Sequence, residues 1–331
     1  MGTLLLRGMA LAGLLALAGC AGTGISLSDY HKEVTLQPAA HLPTETDLNR
    51  QGRAKIVVFE TDDGDLEKAR NAQIGITLTR DIEQTLGDNG AEVIDRRIAT
   101  SLGQELQLAE VKGVGVYEGP AVANYAVKPT ITLAEYESKY VPASSYTDKK
   151  GKTHEIAAYH AHKASVQAGI RVYEIPSLRL VKSLSGKGSS SNSTADRGSR
   201  ELSSNMIRSA TQSALRDMRS EFLNLFAPKG YVLSRRDKGS KSILQISIGS
   251  EQGIVPGNSV VIFSEQESIH PITNKVSYNK IPVVEGKVSE IVTPSEAWII
   301  PDDEDKAKRV RLGDLIEVVY KDSIWSRLLG R

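Results

Sequence analysis

The chain has 331 residues, with 41 Lys and Arg against 40 Asp and Glu, so its formal net charge is +1. That balance lacks the strong positive field of a nucleic-acid binder, and no nucleic-acid partner is expected. A single cysteine rules out an intramolecular disulfide, so packing must hold the chain together.

The N-terminus carries the most specific signal. Arg7 gives a positive start, an apolar run extends from Met9 to Ala18, and Leu17-Ala18-Gly19-Cys20 closes it. The run is too short to span a bilayer, which takes roughly 20 residues, and has the layout of a secretory signal. Its end has the bacterial lipobox pattern, in which Cys20 becomes the acylated first residue of the mature chain. A covalent lipid on Cys20 is the only attached group expected, and no cofactor is. Residue 21 is Ala rather than Asp, which resembles an outer-membrane address. Residues 1–19 therefore read as a signal peptide and residues 20–53 as a lipidated, periplasm-facing tether.

Order is expected from Lys55-Ile56-Val57-Val58-Phe59-Glu60, a compact β-branched run. A helix is predicted from Leu66 to Leu86, with Ile74, Leu78, Ile82 and Leu86 on one stripe. A second strand is predicted at Ala91–Asp95 and a second helix at Ile98–Lys112. Two long β-prone runs follow, Tyr125–Val141 and His154–Tyr173, with a hairpin tip at Ser144–Lys152 between them. In the second run Ile156, Ala158, His160, His162, Ala164, Val166 and Ala168 share one face by period two. Leu178–Leu184 adds a strand, and Ser185–Ser199, rich in Ser and Gly, reads as a mobile loop. A long helix, Arg200 to Phe226, ends at Ala227-Pro228-Lys229-Gly230, the predicted boundary between a 54–228 domain and a 229–322 domain. Beyond it only β signals occur, at Ile243–Ile248, Ser259–Phe263, Ile281–Val292, Ala297–Ile300 and Leu315–Tyr320. Short strands between Gly, Pro and Asn turns point to a small barrel or sandwich. Residues 323–331 form a tail whose Ile324–Leu329 reads as one amphipathic turn.

Few residues suggest chemistry. His160-x-His162 places two imidazoles on one side of a strand, but no third ligand has a fitting spacing, so no metal site is assigned. Asp62-Asp63-x-Asp65 lacks calcium-loop spacing and reads as charge at a helix N-terminus. Gly113-Val114-Gly115 and Gly186-x-Gly188 lack a phosphate-loop frame, and no serine sits in a Gly-x-Ser-x-Gly elbow. Lys306–Arg311 is a short basic run that reads as a solvated loop. Gly249, Gly253 and Gly257 recur every fourth position between two apolar strands, and Gly313-Asp314 repeats a turn before the last one. These glycines suit the sharp turns of a small barrel. No residue is assigned a catalytic role, and no enzyme is expected.

Lys55-Ile56-Val57-Val58-Phe59, Val127–Tyr136 with Ala134-Glu135-Tyr136-Glu137-Ser138, Val166–Tyr173, Leu180-Val181-Lys182-Ser183 and the helix from Arg200 together resemble the CsgG family of curli-secretion lipoproteins. Gly249–Phe263 with Leu312-Gly313-Asp314 looks like the C-terminal β-domain of the flagellar protein FlgT. The resemblance implies an α+β fold: a CsgG-like mixed sheet with flanking helices, then a small all-β, barrel-like C-terminal domain. It implies an outer-membrane lipoprotein, homo-oligomeric, that scaffolds or assists a flagellar ring or secretion complex. Its implied partners are other envelope proteins, with peptidoglycan as a further one. The alternatives it carries are an oligomeric secretion channel for a fibre subunit and an activator of a peptidoglycan synthase. In a channel, Ile156, Ala158, Ala164, Val166 and Ala168 would belong to a barrel hairpin. The Ser/Gly-rich region after Leu184 is a poor source of the second one.

Overall fold

A computed structural model describes residues 24–45, 47, 53–97, 100–112, 115–120, 123–269 and 271–321. The signal segment, Cys20, Gly113-Val114 and the Ile324–Leu329 turn lie outside the described residues. The protein is mixed α+β, with two large sheets and one small hairpin sheet.

The chain enters through β1 (Lys32–Val34) and continues into β2 (Lys55–Val58), α1 (Glu67–Ala72), α2 (Ile74–Asp88), β3 (Glu92–Ile94) and α3 (Thr100–Lys112). Then come β4 (Tyr125–Val141), the hairpin β5 (Ser144–Thr147) and β6 (Thr153–Ile156), β7 (Tyr159–Glu174), β8 (Arg179–Thr194) and α4 (Arg200–Asn224). The first large sheet has the order β3-β2-β4-β7-β8. β2 runs parallel to β3 and β4, whereas β4, β7 and β8 form an antiparallel meander.

Alternation along β2 sets the layers. Ile56 and Val58 face the core under α1, α2 and α4, and Val57 faces a smaller core against α3. The predicted helix over Leu66–Leu86 is in fact two helices. Gln73 adopts a left-handed conformation, φ 53 and ψ 35, and redirects the chain between them. The stripe Ile74, Leu78, Ile82 and Leu86 is buried on α2 as its spacing implies. α4 starts where the Ser199 hydroxyl accepts from Leu202 N at 3.1 Å, and buries Met206, Ala210, Ala214, Met218 and Phe222.

The Ser185–Ser199 expectation is overturned. Most of that stretch is the second half of β8, paired with β7 from Gly169↔Ser185 to His160↔Thr194. The cause is close packing rather than apolar burial. A Cβ on Gly186 would stand 2.1 Å from the Ala214 carbonyl oxygen, and one on Gly188 would stand 1.9 Å from that of Ala210. Alternate glycines let α4 rest directly on the strand backbone, while Ser185, Lys187, Ser189 and Ser191 of the other parity face water.

The second large sheet contains β9 (Lys229–Lys238), β10 (Lys241–Ile246), β11 (Ser259–Ile269), β12 (Val276–Val292), β13 (Ala297–Pro301) and β14 (Leu315–Val318), with a short α5 (Glu304–Ala307) before the last strand. Pairing runs β9-β10-β13-β12-β11-β14 and closes between β14 and β9, making a barrel. Val232, Leu244, Ile246, Ile262, Val288, Ile299 and Ile316 fill it. β11 and β12 are longer than the sequence indicates, because the stretch Ser264–Ser268 of β11 is polar and the start of β12 mixes polar residues with Val276 and Tyr278.

The 20–53 segment, expected to be a tether, is docked over its described part. β1 pairs antiparallel with β9, and Tyr30 is buried with Ile243 and Trp298 on the outside of the barrel. Pro38 bridges to Leu312. Gly90 and Gly253, both at positive φ, meet so closely that a Cβ on either would lie within 2.6 Å of the other's Cα. Asn224 at the end of α4 clamps Tyr320: Tyr320 N donates to Asn224 Oδ1 at 2.8 Å and Asn224 Nδ2 donates to Tyr320 O at 3.0 Å.

Candidate functional site

The best-defined polar constellation lies where the long meander leaves its helical cover. Tyr136 on β4 and His162 on β7 stack with ring centroids 5.9 Å apart, beside Thr194 at the end of β8. The hydrogen bonds assign the imidazole. Thr194 Oγ1 donates to Asp196 O at 2.6 Å, so it must accept from His162 Nε2–H at 2.7 Å. His162 Nδ1 is hydrogen-bonded to the Tyr136 hydroxyl at 2.8 Å. The chain Tyr136 to His162 to Thr194 to Asp196 ties three strands together beside α4. His162 is 2% exposed, and a Cβ on Gly198 would fall 2.9 Å from its ring.

The arrangement bears directly on His160-x-His162. The two rings lie 6.3 Å apart, but both His162 nitrogens are committed. His160 packs on Tyr140 and its buried Nδ1 has no partner among the described residues. No group of three or more His, Cys, Asp or Glu suited to a metal occurs among the described residues.

The five residues proposed for a barrel hairpin separate into two environments. Ala164, Val166 and Ala168 lie in the core with α4. Ile156 is exposed at the end of β6, and Ala158 is half-buried between β6 and β7. The opposite face of β7 carries Lys163, Gln167 and Arg171. There Glu110 of α3 receives Lys128 at 2.6 Å, Arg171 at 3.2 Å and the Tyr173 hydroxyl. Burial works to raise the Glu110 carboxyl, and these donors outweigh it and hold it below the usual range. Burial and the Glu110 charge push the Tyr173 phenol up to about 12.

A cleft of about 740 Å³ separates the two large sheets, lined by Arg53, Lys55, Tyr125, Glu174, Phe226 and Tyr231 among others. Its charges are used internally: Lys55 faces Glu92 at 3.8 Å, Glu174 holds Arg179 at 3.0 Å and Arg53 donates to Ser250 O at 3.1 Å.

The barrel-turn residues do structural work. Gly249 passes 2.2 Å, in Cβ terms, from Thr293 O, whereas Gly253, Gly257 and Gly313 hold positive φ. Asp314 is 1% exposed. Its Oδ2 accepts from Arg311 N at 2.8 Å and its Oδ1 has no partner among the described residues. Burial raises its carboxyl to about 6, above the ordinary carboxylate value. The folded state therefore holds the proton more tightly than the unfolded chain. The stability linked to that proton is present below the unfolded value and lost as pH rises through about 6, at most about 3 kcal/mol. Asp314→Asn keeps an acceptor for Arg311 N and removes the charge. Its melting temperature relative to the parent is expected to rise from pH 5 to pH 8. A difference that does not change with pH would place the buried charge elsewhere.

No family model matches the chain, and no curated protein matches it either. Among solved structures, a PelC dodecamer from Paraburkholderia phytofirmans that carries a point substitution aligns at 12% identity over 55% of this chain and 96% of its own, with a TM-score of 0.24. A second PelC dodecamer from the same organism aligns at 13% identity over 54% and 92%, with a TM-score of 0.23. Lipoprotein GNA1162 from Neisseria meningitidis aligns at 14% identity over 48% and 95%, with a TM-score of 0.22. Scores this low make all three distant likenesses.

Proposed function

We propose that this is a non-enzymatic outer-membrane lipoprotein, anchored through Cys20, that works as an oligomeric scaffold or assembly factor of an envelope machine. The observation that carries the reading is β8. It is the edge of its sheet, sixteen residues long, with α4 pressed on one face. A shared transmembrane barrel would draw its second hairpin from this region, and the Gly186 and Gly188 contacts instead hold it against the helix. A long edge strand is a template for another strand, and native edges are usually guarded by proline, bulges or charge. Arg179, Lys182, Lys187 and the register break at Val181 guard the first half of β8, but Gly188–Thr194 carries no proline, no charge and no break in register. That supports pairing with a second copy along the β8 edge.

The experiment uses the outward amides. Lys187 N leaves the ladder to donate to Asp217 at 3.2 Å, so Ser189 and Ser191, of the same parity, direct their N–H groups to the open edge. Ser191→Pro removes one such donor and leaves the β7 side of the ladder intact. In light scattering, the extracted parent is expected to be a multimer and the variant to be mostly monomeric, with unchanged circular dichroism. A monomeric parent, or a variant of unchanged mass, would contradict edge pairing.

A further inference from the structure

The β11–β12 hairpin continues beyond the barrel. β14 pairs with β11 only from Val260 to Phe263, and β13 follows β12 no further out than Gly286. Ser264–Ile269 and Val276–Ile281 therefore pair only with each other, as a free two-stranded ribbon. Its end is apolar and open. Ile269 and Val276 stand directly opposite each other, Tyr278 shares their face two residues on, and Ile272 at the turn is 86% exposed. No Asp or Glu occurs from Ser268 to Val284, whereas Lys275 and Lys280 do.

The direction of the ribbon gives this patch meaning. β9 and β11 both pair antiparallel with β14, so they run the same way. β9 ends where Asp237 pairs with Lys32 and where Lys238 holds Asp29 at 2.8 Å. The ribbon thus leaves the barrel at the end where the N-terminal segment enters. The His41 and Tyr278 rings, 5.4 Å apart, join the two directly. Ile25 and Leu27 pack beside Trp298, so the chain is already held to the barrel there. From Gly24 to Cys20 is four residues, a reach of at most about 14 Å.

We propose that the ribbon tip, Ile269, Ile272, Val276 and Tyr278, is a second membrane contact that rests on the lipid surface entered by the Cys20 acyl chains. The inference rests on the lipid-anchor reading above. A short tether keeps the tip at high local concentration over the bilayer, and so strengthens a contact that the tip also makes on its own. Isoleucines enter the acyl boundary, the tyrosine suits the headgroup level, and Lys275 at the turn suits anionic lipid, whereas Lys280 is held by Glu317 at 2.7 Å. The barrel would then lie next to the membrane, with the long meander and its β8 edge directed elsewhere for partners.

The test uses the mature chain with Cys20→Ser, which carries no acyl group, and vesicles of phosphatidylethanolamine and phosphatidylglycerol at low salt. The chain is expected to float with the vesicles. Ile272→Glu is expected to weaken this about tenfold or more, the factor that burial of one isoleucine contributes. Because Ile272 is exposed, its melting curve should match the parent's. Ile272→Trp is expected to shift its emission to the blue on vesicle addition. A parent that ignores vesicles, binding that Ile272→Glu leaves intact, or an unshifted tryptophan would each overturn the proposal, and the first would point to a protein partner at the tip. Failure of acylation at Cys20 in cells would overturn the anchor reading alone, because the vesicle assay does not use it.

Discussion

Gly188→Ala should cost about 3 kcal/mol and lower the melting temperature on the order of 10 °C. The new Cβ would stand 1.9 Å from Ala210 O and 2.4 Å from Ala214 N, both helix backbone that no rotamer change can move. Accommodation requires α4 to lift from β8 along the stretch where Ala210, Ala214 and Met218 are buried. That opens the core shared with α2 and β7. Gly87→Ala is the internal control. It lies on α2, nothing stands within 4 Å of its added Cβ, and its φ is negative, so alanine should stabilise by roughly 0.5–1 kcal/mol through backbone entropy. Opposite signs for one chemical change separate close packing from glycine propensity. Thermal unfolding by circular dichroism reads both. Similar small shifts would mean that the helix does not sit on the strand backbone.

The same glycines explain why part of the fold was hard to read in the sequence. Apolar periodicity located α2, α4, β2, β4 and β7, because their buried faces are made mostly of Ile, Leu, Val and Ala, with Met and Phe on α4. β8 has no such signal past Leu184. The positions it turns to the helix there are Gly186, buried, and Gly188, half-buried, and a serine-rich strand under a helix looks like a loop. The trace that was available is strict alternation, Leu184, Gly186 and Gly188 on one parity with polar residues between. β9 was hidden by charge. Arg235 and Asp237 form a mostly buried pair at 2.8 Å, and Arg236 lies over Trp298 with its guanidinium carbon 5.3 Å from the ring centre. Residues that satisfy one another in this way look exposed when taken singly. The Tyr136–His162–Thr194 chain was legible in one member only. His162 stood out as half of a histidine pair, but its partners lie 26 and 32 residues away and are brought to it by the β4–β7–β8 register. Docking of residues 24–45 was missed because Tyr30 and β1 are too short to make a pattern. The barrel turns were legible as turns, whereas the Gly90–Gly253 contact depends on two distant chain segments meeting.

The chain's attachment to the membrane has the largest expected effect of any single substitution. No described helix is long and apolar enough to cross a bilayer, and that says nothing about strands. Two attachments therefore compete: acyl chains on Cys20, or a barrel made from the long meander. They differ in energy and in location. Each buried methylene contributes about 0.8 kcal/mol, so several acyl chains hold the protein firmly and their loss removes nearly all of the affinity. A barrel of strands crossing a hydrocarbon layer would stay inserted whatever happens at residue 20. Ala164, Val166 and Ala168 are already covered by α4, and the other face of β7 carries Lys163 and Arg171. One face is closed to lipid unless α4 leaves, and charge on the other keeps it from meeting lipid along its length. The deciding measurement is fractionation of cells that carry Cys20→Ser, with membranes washed in alkaline carbonate to strip weak surface contacts such as the ribbon tip. The parent is expected to remain in the washed membranes, with the variant recovered almost entirely in soluble form. A Cys20→Ser chain that stays in the washed membranes would contradict a lipid-anchored scaffold and place strands of this protein across the bilayer.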